Sequence, residues 1–315
     1  MIHPARAATA RKYEQSVLPV LVHCEQHLDE PLTLADLAAI AGFSPHHFHR
    51  IFQYVTGEAP KEYLRRLRLE RAVYRLKVSP DNVIRIGLEA GFHTHETFTR
   101  AFSRRFGITP SAFRGVLHAF RAAASDTLTS RTFDGFTEET PLTLRFDLRK
   151  EPVSVARTPA RQLIFVRHLG YENLLAGGRS FLDLWDEVFA YADAHGIEYS
   201  PATLIGITHD DPYVTDEERF RFDACLPVNG PVRVSHPVGY REQPAGMCVV
   251  RRHAGGLEEI ARTFAYLGVE WLPSDDYWLG SAPPFELYHC EYVDGRLERR
   301  WTDAYVPLEP TRRTG

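Results

Sequence analysis

The chain holds 315 residues, 44% hydrophobic and 25% charged, a globular composition long enough for two domains and too long for a single core. No run of eighteen apolar residues occurs and Met1–Arg11 lacks the apolar stretch of a signal peptide, so a cytoplasmic protein is expected, with no membrane partner. The net charge of -4 is uneven: residues 1–120 carry 16 lysines and arginines against 11 acids, and residues 121–315 carry 21 against 30. A basic first part suits a polyanion, and an acidic second part should stay off DNA.

Apolar residues at mostly helical spacing over 12–29 predict a first helix, closed by Pro31. Thr33 with Asp36 three residues on predicts a capped second helix ending at the Ala41-Gly42-Phe43 turn. Ser44 before Pro45 predicts a capped third helix to Tyr54. Lys61 to Val78 reads as one long amphipathic helix. The plan then repeats. Ala90-Gly91-Phe92 repeats the turn, Thr94 is the expected cap of a helix through Arg105, and Phe98-x-Arg100-x-Phe102 with Gly107-x-x-Pro110-x-x-Phe113 repeats Phe48-x-Arg50-x-Phe52 with Gly57-x-x-Pro60-x-x-Tyr63. Two short helices meeting at a small-residue turn form a helix-turn-helix, so the repeat predicts an all-α double helix-turn-helix over residues 8–120.

A stretch rich in Ser, Thr, Asp and Gly follows, expected as a linker over residues 121–141. Residues 142–310 then read as an α+β domain. Strands are expected at 142–146, 163–166, 204–207, 247–250 and 285–288, and helices at 178–195 and 257–267. His168-x-Gly170 returns as His253-x-Gly255, and Asp223-Ala224-Cys225-Leu226-Pro227 as Asp303-Ala304-Tyr305-Val306-Pro307, which predicts two βαββ halves around a shared groove.

A helix in the major groove meets a distinct donor and acceptor pattern at each base pair, and arginine can bond guanine twice. Arg50 and Arg100 can do this or can pack on the turn or touch phosphate, while the four flanking phenylalanines belong to the core. Two modules about one DNA turn, roughly 34 Å, apart could enter successive grooves from one side without a dimer. The runs His46-His47-x-His49 and His93-x-His95-Glu96 lack the i, i+4 pairing of helical metal sites, so no metal is expected. Cys24, Cys225, Cys248 and Cys290 show no C-x-x-C spacing and read as buried small hydrophobes. No phosphate loop, nucleotide fingerprint or nucleophile elbow occurs, so no cofactor is expected and the chain is not read as an enzyme. In the alternation of Phe285, Glu286, Leu287 and Tyr288, the glutamate and the tyrosine share one strand face.

Residues 13–118, above all Ile86 through Phe98-x-Arg100-x-Phe102 to Arg114, resemble the DNA-binding domain of the AraC/XylS transcription regulators. The resemblance implies promoter DNA as partner, with RNA polymerase nearby, and base-reading positions at His46, His49, Arg50, His95, Glu96, Thr99 and Arg100. Residues 142–308 resemble the GyrI-like small-molecule-binding domain through Trp271-Leu272-Pro273, Tyr277, Pro284 through Tyr288, Asp211-Pro212 and Arg221 through Cys225. That resemblance implies a small hydrophobic effector, with organic cations as one class, received at Glu286 among Trp271, Tyr277, Trp278 and Tyr288. Tyr171 is expected at the rim and Trp185 in helix packing. Ser274-Asp275-Asp276 stands where the family carries a glycine before the pocket tyrosine. Together the resemblances imply a ligand-responsive transcription regulator. The alternative is a GyrI-like domain acting as a small-molecule hydrolase or detoxifying binder, with a glutamate and a tyrosine as acid and base.

Overall fold

The computed structural model describes residues 4–125, 153–170, 181–211, 214–253, 260–269, 277–280, 282–294 and 296–310. The expected linker and the expected strand at 142–146 lie outside them, apart from residues 121–125, which continue a helix.

The N-terminal part is helical: α1 (Pro4–Gln26), α2 (Leu34–Ile40), α3 (Pro45–Thr56), α4 (Pro60–Val78), α5 (Val83–Glu89), α6 (His95–Phe106) and α7 (Pro110–Ser125). Thr33 and Asp36 form a full capping box on α2, and Thr94 caps α6 with Thr97 completing the box. Ser44 occupies the cap position of α3, but its side chain makes no capping bond. Pro45 already removes one orphan donor there. Gly57 and Gly107 end the two reader helices in the left-handed conformation, φ +76° and +72°, which glycine adopts without strain.

Two cores flank α4. Phe48 and Phe52 pack with Val17, Val20, Leu37, Leu64 and Leu67 in the first, and Phe98, Phe102 and Phe113 pack with Ala72, Val73, Leu76 and Ile86 in the second. One 19-residue helix, about 28 Å long at 1.5 Å per residue, therefore supplies one end to each module. Arg68 stands between them: its guanidinium donates to the Leu28 and Glu30 carbonyls of the first module and lies against Gly91 of the second turn.

Among the described residues, nine strands form one antiparallel sheet: β1 (Val153–Thr158), β2 (Arg161–Leu169), β3 (Thr203–Thr208), β4 (Arg221–Val228), β5 (Val238–Gln243), β6 (Gly246–His253), β7 (Tyr277–Leu279), β8 (Phe285–Val293) and β9 (Arg296–Pro310). The order is β1-β6-β9-β8-β3-β4-β2-β5, with β7 added beside β9. Two like quartets, β5-β2-β4-β3 and β1-β6-β9-β8, meet where β3 pairs β8, so the repeat of the sequence is a repeat of structure. β1, β4, β5, β7 and β9 were not among the expected strands. β1 precedes β2 in the chain but pairs β6, and β5 precedes β6 but pairs β2, an exchange that no local pattern encodes.

The sheet is covered on both faces. On one, a 3₁₀ turn (Phe181–Trp185) and α8 (Asp186–Ala194) pack Trp185, Val188 and Ala192 on the first quartet, and α9 (Ile260–Val269) packs Leu267 on the second. The other face presents Leu163, Phe165, Ile205, Ile207, Cys225, Cys248, Val250 and Phe285, against which Leu18 and Val22 of α1 pack. The four cysteines are free and buried.

A Cβ on Gly206 would stand 2.5 Å from Glu286 Oε2 and 2.6 Å from the Phe222 ring, whereas one on Gly246 would meet nothing within 4 Å. Gly206→Ala should destabilise the protein by about 1–3 kcal/mol through overpacking and Gly246→Ala by less than about 1, as read from denaturant midpoints.

Candidate functional site

Glu286 lies where the two quartets meet. In register it faces Gly206 of β3 on one side and Ala304 of β9 on the other, and Gly206 faces Ala224 of β4 in turn. Gly206 and Ala304 thus flank the carboxyl with two of the smallest residues, Ala224 lies one strand beyond Gly206, and Phe222 and Tyr288 close over this part of the sheet. Trp185 meets Tyr288 edge-on at 5.2 Å and Phe222 at 5.9 Å between ring centroids. Thr208 Oγ1 donates to Glu286 Oε1 at 3.1 Å, and the Tyr288 hydroxyl donates to Oε2 at 3.2 Å. No cation pairs with Glu286 among the described residues. Burial pushes its carboxyl up to about 8, with the two hydrogen bonds only partly opposing this.

Tyr288 stands beside Glu286 as the strand alternation requires. Tyr277 lies on β7, on the sheet face that Glu286 occupies, two registers beyond Leu279 opposite Leu308. Trp278 corrects the expectation: adjacent strand residues point to opposite faces, so it lies on the face away from Glu286. Trp271 and Tyr171 fall outside the described residues. Trp185, assigned from sequence to helix packing, packs there and also touches Tyr288. Thr208, Gly206 and Phe222 went unnoticed, although Gly206 stands 80 residues before Glu286, the interval that separates Asp223 from Asp303.

Directly behind this site, on the other sheet face, is a buried ionic cluster that sequence reasoning missed. Glu25 of α1 accepts from Arg167 at 2.5 and 3.0 Å and from Arg221 at 2.7 Å. Asp223, fully buried, accepts from Arg167 at 2.7 Å and Arg241 at 2.8 Å and contacts His209 at 2.7 Å. Asp210 holds Arg221 at 2.6 Å, and the Tyr63 hydroxyl of α4 accepts from Arg221 at 3.4 Å. Burial alone would raise the Glu25 carboxyl, but Arg167 and Arg221 hold it down at about 2. The same balance, set by Arg167 and His209, holds Asp223 well below the usual carboxylate range. The second quartet repeats the motif as Arg252, His289 and Asp303, with Trp301 at the place of Arg221. There Trp301 stacks on His289 and lies under Arg252, and no helix is docked by a carboxylate among the described residues.

On the reader helices, Arg50 and Arg100 are exposed and make no ion pair or hydrogen bond among the described residues. His46 and Glu96 are exposed one turn before them; His49, His95 and Thr99 are half-buried, with Thr99 Oγ1 3.4 Å from His95 Nε2. Tyr54, 67% exposed, and exposed Arg104 continue the two faces by another turn, at positions the sequence reading left out.

A double helix-turn-helix joined to a duplicated βαββ sheet with a buried acid at its axis defines a DNA-binding protein with a small-molecule domain. Residues 151–309 match the family described as the GyrI-like small molecule binding domain, and residues 37–115 match a helix-turn-helix domain. The chain belongs to the GyrI-like family, carried here behind an AraC-type helix-turn-helix region. The right origin-binding protein of Escherichia coli (strain K12) is 40% identical over 95 residues, 30% of this chain and 33% of that protein. The HTH-type transcriptional regulator Rv1931c of Mycobacterium tuberculosis is 43% identical over 81 residues, 26% of this chain and 31% of that protein. Each match thus spans about a third of the relative's length. The cryo-EM structure of an EcmrR–DNA complex is similar over 88% of this chain and 98% of that one, at 13% identity and a TM-score of 0.42.

Glu25→Ala should cost about 3–5 kcal/mol near neutral pH, because it leaves two buried guanidiniums short of a carboxylate. With the folded carboxyl at about 2 against 4.5 unfolded, the contribution of Glu25 is present above pH 4.5 and lost as pH falls toward 2. Thermal melts across that window should fall more steeply for the parent than for the variant.

Proposed function

We propose that this chain is a ligand-responsive, sequence-specific DNA-binding transcription regulator of the cytoplasm, not an enzyme. Its division is residues 8–120 for DNA, 121–141 as linker and 142–310 for the effector. The two reader helices enter successive major grooves of promoter DNA, where RNA polymerase is a further partner. His46, Arg50, Glu96 and Arg100 reach base edges from their exposed faces, and His49, His95 and Thr99 lie at the flanks of those faces.

The observation that carries the effector reading is Glu286, buried among Trp185, Phe222 and Tyr288 without a cation. A carboxylate removed from water is costly, so at neutral pH the group stays protonated, and an organic cation entering beside it would restore the charged form. Aromatic faces add cation-π attraction. Tyr277, Tyr288, Trp271 and Tyr171 complete the proposed effector set. Trp278, on the opposite face, leaves it.

The hydrolase reading rests on the same Glu286 and Tyr288 as acid and base. Their mutual hydrogen bond and a sequence without a nucleophile elbow favour sensing, and the matched relatives carry names of origin-binding and regulatory proteins. Effector control requires unequal affinity for two arrangements of the chain. The docking of α1 on the back of the effector sheet supports such a coupling.

Binding of tetraphenylphosphonium, followed by tryptophan fluorescence, should tighten about tenfold per pH unit as pH rises toward 8 and level off above it, since the cation selects the ionised carboxyl. Glu286→Gln should weaken it more than tenfold, about 1.4 kcal/mol, and abolish the pH slope; equal affinities in the two proteins would remove the acid from the site. Arg100→Ala should lower affinity for the selected promoter sequence by about 1–3 kcal/mol in gel-shift titration while the helical circular dichroism is retained.

A further inference from the structure

The β3–β4 loop, residues 209–220, leaves the effector sheet and reaches both helix-turn-helix modules. Residues 212 and 213 lie outside the described residues; the others are tied by their own backbone bonds, Val214 and Thr215 to the Asp211 carbonyl at 2.9 Å each and Arg219 to that of Asp216 at 2.8 Å. Arg219 pairs with Glu58, directly after reader helix α3, at 3.5 Å. Asp216 pairs with Arg105 in the last turn of reader helix α6 at 2.9 Å. Val214 packs against the second module's core, and Asp211 binds Lys77 near the end of α4.

The modules have separate cores joined by α4, with Arg68 as a bridge. A single helix resists bending but constrains the attitude of what hangs from its two ends only through local packing. A loop that grips both ends supplies the missing constraint. Its root is the pocket itself: Thr208, the last residue of β3, donates to Glu286, and the next residues, His209 and Asp210, hold Asp223 and Arg221 in the ionic cluster that seats α1.

We propose that the β3–β4 loop is the brace that fixes reader helix α6 relative to α3, and that Thr208 connects this brace to the pocket carboxyl. Val214, Asp216 and Arg219 are then positioning residues for DNA recognition. The half-site separation that the protein accepts is set by its effector domain as well as by α4. An effector that withdraws Glu286 from Thr208 frees the end of β3, and through it the grip on both modules. The brace stands on geometry alone; its connection to the effector rests on the reading of Glu286 given above.

The test is the distance between spin labels at Gln53→Cys on α3 and Arg104→Cys on α6 in the full chain, both exposed positions, the four native cysteines being buried. The otherwise unchanged protein should give one narrow distance distribution, and Val214→Ser/Asp216→Ala/Arg219→Ala a broadened one at unchanged circular dichroism. Asp216→Arg should broaden it too, and adding Arg105→Asp should narrow it again, a rescue that loss of folding would not give. The same narrow distribution in the triple variant overturns the brace. Tetraphenylphosphonium at the concentration that saturates each protein in its own fluorescence titration should shift the distribution in the parent and leave it in place in Thr208→Val; an equal shift in both overturns the connection through Thr208. Failure of the cation to bind the parent would overturn the Glu286 reading and that connection with it, while the triple variant still decides the brace.

Discussion

Glu25 is a single carboxylate on the first helix of the N-terminal part, yet it sits between two arginines of another domain in a space almost without water. A lone charge there would be expensive, and so would either arginine; the cluster persists because each member satisfies another. This is a demanding kind of contact. Hydrophobic faces tolerate sliding, whereas Arg167 must meet Glu25 and Asp223 together, and Arg221 must meet Glu25 and Asp210 together. Helix α1 is thereby seated on one sheet face in one orientation, and Leu18 and Val22 fill the apolar surface that the orientation exposes to them, while Val78 of α4 joins the core that Leu267 forms on the opposite face.

The opposite sheet face uses the inverse arrangement. Asp223 is surrounded by cations and stays ionised; Glu286, one strand beyond β3 and on the other face, has neutral donors and no cation among the described residues and is pushed toward its neutral form. Two acids in one thin sheet are thus held in opposite protonation states by what lies within a few ångströms of each. One serves as a permanent anchor, and the other has a charge that a bound molecule can change. β3 lies between them and contributes to both, Thr208 toward the neutral acid and His209 toward the ionised one, because successive strand residues face opposite ways.

Both domains are internal repeats, and in each the two copies agree in the core and differ at the surface. Phe48 and Phe52 have Phe98 and Phe102 as counterparts, and Arg50 has Arg100, but His46 faces Glu96 and Tyr54 faces Arg104. The two reader surfaces therefore offer different chemistry to DNA. In the sheet, Arg221 has Trp301 as its counterpart, so one copy of the Arg-His-Asp motif seats a helix and the other ends in an exposed aromatic stack.

Much of this could be read from the residues in order. Capping threonines, the turn glycines, the paired phenylalanines and the spacing of the repeats act over a few positions, so the sequence determined the double helix-turn-helix, the duplicated sheet and the shared face of Glu286 and Tyr288. Ser44 holds the cap position of α3 without the capping bond expected of it, and nothing in the structure explains why. Trp278 was placed among pocket aromatics although its strand parity turns it away. What only the tertiary structure decided is what depends on strands distant in the chain: the exchange of β1 and β5, the Gly206–Glu286–Ala304 floor, and the cluster of Glu25 with Arg167, Arg221 and Asp223. Those charges are scattered over some two hundred residues, and each looks like an ordinary surface residue until packing removes the water. Burial is a property of the assembled fold, and it is burial that turns these acids and arginines into an anchor and a sensor.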